Sequence, residues 1–268
     1  MGLFSKIASA IGGSKTPESR ELAQEIATLK KEGRMHARHV LHAPWPVRLE
    51  LPGGTIGRVR DMSYGGLGVI FEESTPAFVP TDLSVVLATL HLLDQSTPIR
   101  VSAIHWSSPT PRELFVGIQV QHEVPASLLA MKSVIEPLGW GGSMIPIGED
   151  IRNERYRGPG WHCYRGEGPT DVVARLDPQT SRLMEALITF RHENGYRDVR
   201  LLGDQLATSE PAGSSTYGGS QMANTSALDP KSLRSAACIL LSLPESARLA
   251  TAPLLQRILS ELKVSTGA

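Results

Sequence analysis

Two short motifs contain the residues of this sequence whose types and spacing are best suited to chemistry. An RxxxR motif contains Arg34 and Arg38, and a DxSxxG motif contains Asp61, Ser63 and Gly66. Each guanidinium group presents a planar fork of donors that can bind phosphate, whereas an ionised carboxylate only accepts hydrogen bonds. These residue types would suit a polar, anionic ligand, although either motif alone often occurs by chance.

The elements that must position these motifs have the pattern of short β-strands. In the predicted strand 55–63, the spacing of Ile56 and Val59 does not fit the two-residue period of a strand, which indicates a bulge. Six closely spaced strands with Gly, Pro and Ser turns between them are typical of a small barrel or sandwich. The strands are predicted at 47–51, 55–63, 67–73, 83–93, 99–106 and 114–122, and a helix is predicted at 127–139.

Motifs and strands together resemble the PilZ domain over about residues 33–137. The resemblance implies a six-stranded β-barrel with a following helix, and it implies a bacterial receptor for the second messenger cyclic di-GMP. Further segments that carry it are Arg58-Val59-Arg60, Gly66-Leu67-Gly68-Val69, Trp106 and Phe115-Val116-Gly117-Ile118-Gln119-Val120.

The resemblance assigns both motifs to a cyclic di-GMP site. Guanidinium groups can bind the phosphates or the guanine acceptors O6 and N7, or stack on the bases, and Asp61 can accept from the guanine N1–H and amino edge. Gly65 and Gly66 would allow positive φ and a close approach of the backbone to a base. The implied ligand residues are Arg34, Arg38, Asp61, Ser63 and Gly66, and the possible further ones are Arg58, Arg60 and Gly65.

The preferred functional hypothesis is a non-enzymatic effector that changes its conformation or its partner contacts when cyclic di-GMP binds. The resemblance implies that the output controls bacterial motility, surface attachment and biofilm formation, or polymer secretion, through a protein partner that the sequence does not identify. The alternative is a PilZ-fold adaptor that acts by protein–protein interaction without the nucleotide. Gly33 stands where family members often carry a longer residue, so one bound nucleotide and an intercalated pair both remain open.

Enzymatic and metal chemistry are not expected. No set of residues with catalytic spacing is visible, so the sequence predicts no catalytic residues and no cofactor. His36, His39 and His42 form an HxxHxxH pattern. The segment from Arg38 onward is predicted to be extended, and side chains three residues apart on a strand point to opposite faces. A metal site is therefore not predicted.

Charge, cysteine usage and apolar runs restrict the partners and the location. The 27 basic and 27 acidic side chains give zero net charge, which argues against broad nucleic-acid binding. Cys163 and Cys238 have no CxxC spacing, which fits a reducing compartment and predicts a cytoplasmic protein. No apolar run is long enough to cross a bilayer. Apolar residues near the N-terminus would form either a weak membrane or partner anchor or a face that docks on the protein itself: Leu3, Phe4, Ile7, Ala8 and Ile11.

The second half of the chain has a different pattern from the first. Segments 170–176, 183–192 and 196–202 predict a three-stranded meander, and the rival interpretation makes 178–192 a helix. Residues 140–168 are predicted to be irregular, with Trp161-His162-Cys163-Tyr164 in a loop.

A helical hairpin is predicted to end the chain, with Asp229 as the N-cap and Pro230 in the first turn. The predicted fold class is therefore mainly β with α: a six-stranded PilZ-type β-barrel plus flanking helices, then a small α+β or meander region, then the hairpin. The predicted domains are a helical extension at 1–32, the barrel domain at 33–139, a second small domain at 140–202, a flexible linker at 203–227 and the hairpin at 228–268.

Overall fold

The computed structural model describes residues 38–42, 46–72, 85–110, 113–121, 125–192, 195–209 and 228–264. Contacts between these residues divide the chain into two compact units, one with 38–39 and 47–132 and the other with 40–46 and 133–264. The predictions for the N-terminal extension, Arg34 and His36, and for most of the linker, lie outside the described residues. The division into domains stays a prediction.

The first unit contains a closed six-stranded antiparallel barrel, which confirms the predicted fold. Around the barrel the strand order is β3-β2-β5-β6-β7-β4, and β4 pairs again with β3 to close it, while β1 lies beside β3 as an additional strand. The strands are β1 His39–Val40, β2 Val47–Leu51, β3 Thr55–Ser63, β4 Gly66–Glu72, β5 Val86–Leu92, β6 Gln95–Thr110 and β7 Glu113–Gln121.

Alternation of buried and partly exposed side chains explains why these segments form a barrel. In β2, Val47, Leu49 and Leu51 are buried, while the two polar residues between them are partly exposed. The turn to β3 contains Gly53 at φ 89° and Gly54 at φ 82°, a left-handed conformation that favours glycine. The interior includes Val59, Met62, Leu67, Val69, Phe71, Leu90 and Val116.

The second unit contains a six-stranded antiparallel sheet in which each strand pairs with its neighbours in sequence. The predicted meander is therefore confirmed, and the alternative helix over 178–192 is wrong. Ala186, Ile188 and Phe190 are buried at a spacing of two, which is the period of a strand. The strands are β8 Ile145–Pro146, β9 Trp161–Gly166, β10 Thr170–Leu176, β11 Leu183–His192, β12 Gly195–Leu202 and β13 Gln205–Thr208.

Two segments of this sheet differ from the sequence prediction. Residues 140–168 contain β8, two short 3-10 turns at Glu149–Ile151 and Glu154–Tyr156, and β9. Trp161-His162-Cys163-Tyr164 is therefore in a strand and not in a loop, because β10 pairs with it residue by residue. Residues 203–209 of the predicted linker belong to the sheet, because a turn at Gly203 with φ 58° returns the chain into β13.

Three α-helices lie in the described residues: α1 Pro125–Gly142, α2 Pro230–Leu241 and α3 Glu245–Glu261. The predicted C-terminal hairpin is confirmed as α2 and α3. The Asp229 side chain accepts hydrogen bonds from the backbone N–H groups of Lys231 and Ser232, and Pro230 occupies the first turn. None of these helices combines the length and the apolar character needed to cross a membrane.

The hairpin covers one face of the meander sheet. Helix α3 contacts β9, β10 and β11, and α2 contacts β12. The hydroxyl of Tyr164 on β9 donates to the carbonyl of Ser246 at 3.1 Å. The apolar stripe of the hairpin is buried within this unit and forms ordinary core: Leu240, Leu254, Ile258 and Leu262.

Two leucines of α3 provide a matched test of this packing. Leu254 is fully buried, whereas Leu249 is 83% exposed. We expect Leu254→Ala to lower the free energy of unfolding by about 2–5 kcal/mol, because it leaves a cavity in the core. The control Leu249→Ala should change it by less than about 0.5 kcal/mol. Urea unfolding of the full chain measures both, and equal effects would contradict this packing.

Candidate functional site

The candidate site lies at the hairpin between β3 and β4. Ser63 and Gly66 face each other across a turn of two residues, and the Ser63 hydroxyl donates to the Gly66 carbonyl at 3.3 Å. The backbone N–H of Val120 donates to the carbonyl of Gly65 at 3.1 Å, which ties the turn to β7. The hairpin is therefore fixed on both sides within the barrel.

The two glycines of this hairpin have different surroundings. Neither Gly65 nor Gly66 adopts a left-handed backbone conformation, so the freedom to do so is not used at either position. A Cβ on Gly66 would lie 2.6 Å from the carbonyl oxygen of Ile118. Gly66 is required because strand β7 comes too close for any side chain, whereas a Cβ on Gly65 would point into open space.

A β-bulge at Arg60 shapes the strand that carries the second motif. Val59 pairs with Val69 and Asp61 pairs with Gly68, so that Arg60 is the extra residue of β3. Consecutive side chains of a regular strand point to opposite faces. At the bulge, however, Nε of Arg60 donates to Oδ2 of Asp61 at 3.4 Å.

Asp61 is a buried carboxylate that holds two arginines. Its side chain is 5% exposed, and its Oδ1 accepts a hydrogen bond from Nη1 of Arg38 at 3.1 Å, while Oδ2 contacts Arg60. Gly68 makes room for this carboxylate, because a Cβ there would overlap its atoms. A buried charge needs such partners, and two guanidinium groups against one carboxylate leave net positive charge at the surface.

Both arginines remain accessible to a ligand. The Arg38 side chain is 49% exposed and that of Arg60 is 48% exposed. The ion pairs with Asp61 use Nη1 of Arg38 and Nε of Arg60, and each guanidinium group carries further donors. Arg60 also lies over the ring of Phe115, with Cζ 4.4 Å from the ring centroid. The arrangement can bind an anion or a flat polar group.

Arg58 belongs to a neighbouring ion pair on the same strand. Its Nη2 lies 3.0 Å from Oε1 of Glu113 on β7, and both side chains are partly exposed. Arg58 and Arg60 alternate with buried Gly57 and Val59, which places the two arginines on the outer face of the barrel.

The structure thus brings Arg38, Asp61 and Arg60 into contact and places Ser63 and Gly66 at the end of the same hairpin. Arg34 lies outside the described residues. Sequence reasoning assigned no site role to Phe115 and Gly68. A glycine inside a predicted strand, which often marks a close approach of another group, was the signal for Gly68.

The described residues contain no group of three or more His, Cys, Asp or Glu side chains placed to hold a metal ion. In the second unit, a cavity of about 260 Å³ is lined in part by Tyr156, Cys163 and Arg152. Burial raises the pKa of the Cys163 thiol and of the Tyr156 hydroxyl, which favours the protonated, less nucleophilic form of each.

Comparisons with known proteins give one structural likeness. No family model matches the chain, and no curated protein matches it. The chain is similar to the crystal structure of the Borreliella burgdorferi PlzA protein in complex with c-di-GMP, with 14% identity and a TM-score of 0.33 over 67% of this chain and 86% of that chain. Because both values are low, the likeness assigns no function, and the strands and side chains described above carry the inference.

Substitution of the two adjacent glycines tests the geometry of the hairpin. We expect Gly66→Ala to lower the free energy of unfolding by about 1–3 kcal/mol, because the new Cβ would displace the backbone of β7. The control Gly65→Ala should change it by less than about 1 kcal/mol, since its Cβ meets no atom. Thermal unfolding measures both variants, and a Gly66→Ala variant as stable as the wild type would contradict the close approach of β7.

Proposed function

We propose that this chain is a receptor for cyclic di-GMP and that the nucleotide binds at Arg34, Arg38, Asp61, Ser63 and Gly66. The observation that carries the proposal is the ion pair between Arg38 and Asp61, at 3.1 Å. These two residues are 23 positions apart in the sequence, and their contact brings the RxxxR and DxSxxG motifs together. The closed six-stranded barrel around them supports the same proposal.

The chemistry of the site suits this ligand. Cyclic di-GMP carries two phosphates and two guanines, and a half-exposed guanidinium group can bind a phosphate or the guanine acceptors O6 and N7. The sequence predicted that Asp61 accepts hydrogen bonds from the guanine edge. Its burial and its two arginine contacts instead support a positioning role, in which the carboxylate fixes both guanidinium groups towards the ligand.

The biological role that we propose is that of a non-enzymatic effector. Nucleotide binding at Arg38 changes the conformation of the chain that leads into β1, and with it the contacts of a protein partner. The regulated process is motility, surface attachment or polymer secretion in a bacterial cell. The alternative is an adaptor that uses the same fold without the nucleotide. A direct measurement of cyclic di-GMP binding distinguishes the two proposals.

The first test is the affinity of an Arg38→Ala variant for cyclic di-GMP. We expect binding to weaken by about 10- to 100-fold, the scale of one lost charge-assisted contact. The matched control is Arg165→Ala, which removes an exposed arginine that is also paired with an aspartate, Asp171, but lies in the second unit. Calorimetric titration of the full chain measures all three proteins.

Each outcome of this titration has a distinct meaning. A wild-type chain that does not bind cyclic di-GMP would contradict the receptor proposal and favour the adaptor. Equal affinities of wild type and Arg38→Ala would show that the nucleotide binds elsewhere. Loss of affinity in the Arg165→Ala control would place the site in the second unit.

Amide hydrogen exchange tests the conformational response. Strand β1 has only two residues, His39 and Val40, and it directly follows Arg38. We expect exchange at residues 38–42 to slow when cyclic di-GMP is added, because the ligand holds Arg38 in place. Residues 170–176 in the meander sheet are the internal control and should not change. Unaltered exchange at 38–42 under saturating nucleotide would contradict the response.

A further inference from the structure

We infer that Arg60 is a further ligand-binding residue of this site and that its guanidinium group stacks on a guanine base of the nucleotide. The inference rests on the proposed function and extends it to a residue outside both motifs. Three features of Arg60 carry it: its place at the bulge, its aromatic support and its exposure.

The bulge joins Arg60 to the site. In a regular strand the side chain of Arg60 would point away from that of Asp61, but the extra residue lets Nε reach Oδ2 of the buried carboxylate. Because Arg38 occupies the other oxygen of the same carboxylate, the two guanidinium groups stand side by side. β-Bulges are often found next to active sites, where they redirect a side chain in this way.

Phe115 lies against the Arg60 guanidinium group. Cζ of Arg60 lies 4.4 Å from the ring centroid, which is within the range of a cation–π contact. Guanidinium groups also stack on aromatic faces through dispersion interactions. With 48% of the side chain exposed, the guanidinium group can receive a second flat ring. A guanine base there completes a stack of ring, guanidinium group and base.

The chemistry separates this role from simple charge attraction. A lysine at position 60 would keep the positive charge but would lose the planar group that stacks between two rings. Arg165 supplies the matched comparison, because it is also an exposed arginine paired with an aspartate, Asp171, but lies in the second unit.

Calorimetric titration of the full chain with cyclic di-GMP tests the inference with the variants Arg60→Ala, Arg60→Lys and Arg165→Ala. We expect Arg60→Ala to bind about tenfold more weakly than the wild type, the scale of one base-stacking contact. Arg60→Lys should recover less than half of the lost binding free energy. The control Arg165→Ala should stay within about twofold of the wild type.

A double-mutant cycle with Phe115→Leu provides a readout that charge alone would not change. If Phe115 acts by supporting Arg60, its substitution weakens binding in the wild-type background and has no further effect in the Arg60→Ala background. The melting temperature of each variant without nucleotide confirms that it is folded. If Arg60→Ala is not folded, Arg60→Lys and Phe115→Leu decide the matter.

The outcomes distinguish this inference from the proposed function. Wild-type affinity of Arg60→Ala, together with lost binding in Arg38→Ala, would overturn the role of Arg60 and leave the receptor proposal intact. Wild-type affinity of the Arg60→Lys variant for cyclic di-GMP would overturn the proposed stacking of Arg60 on a guanine base. A wild-type chain that does not bind cyclic di-GMP would overturn both proposals.

Discussion

A carboxylate that is removed from water requires cationic partners, and the candidate site is arranged around one such group. Asp61 is buried beneath the outer face of the barrel and is contacted by Arg38 on one oxygen and Arg60 on the other. The glycine opposite it on β4, Gly68, leaves the space that the carboxylate fills. A short first strand beside β3 brings Arg38 within reach. Loss of either arginine would leave a buried charge with fewer partners, whereas a side chain at position 68 would overlap the carboxylate.

The same residues serve barrel closure and the candidate site. The β3–β4 hairpin closes the barrel, because β4 pairs with β3 on one side and with β7 on the other. Its turn is flanked by Ser63 and Gly66, and β7 supplies Phe115 beneath Arg60. A barrel strand that comes this close leaves little room for relaxation, since well-packed interiors tolerate small changes of volume poorly. Stability of the barrel and the geometry of the candidate site are therefore coupled at this end of the barrel.

Local patterns predicted much of the secondary structure. Alternating side chains gave the bounds of β2 and β3, and Asp229 with Pro230 marked the start of α2. These signals succeed because a turn, a cap or a strand period depends on residues that are close in sequence. Strand β3 does contain a bulge, but it lies at Arg60, whereas Ile56 is out of phase with Val59 because its side chain is exposed.

Features that depend on distant residues were not predictable in the same way. Strand β9 was missed because its residues are flanked by glycine and proline, and its pairing with β10 gives no periodic signal. The reason for Gly66 lies in the carbonyl of Ile118 on β7, a residue 52 positions away in the chain. Likewise, the sequence identified the arginines and Asp61 but not that the carboxylate would hold two of them, because strand register decides which side chains meet.

Burial of the native thiols has a practical consequence for spectroscopy. The sequence contains two cysteines, and both are buried. Burial raises the pKa of Cys238 to about 12, so its thiolate is scarce at neutral pH and alkylating reagents meet little of the reactive form. A single cysteine introduced at an exposed position would therefore be labelled selectively in the otherwise unaltered chain. Two introduced cysteines, one in each compact unit, would carry a pair of fluorophores or spin labels that reports the distance between the units with and without nucleotide.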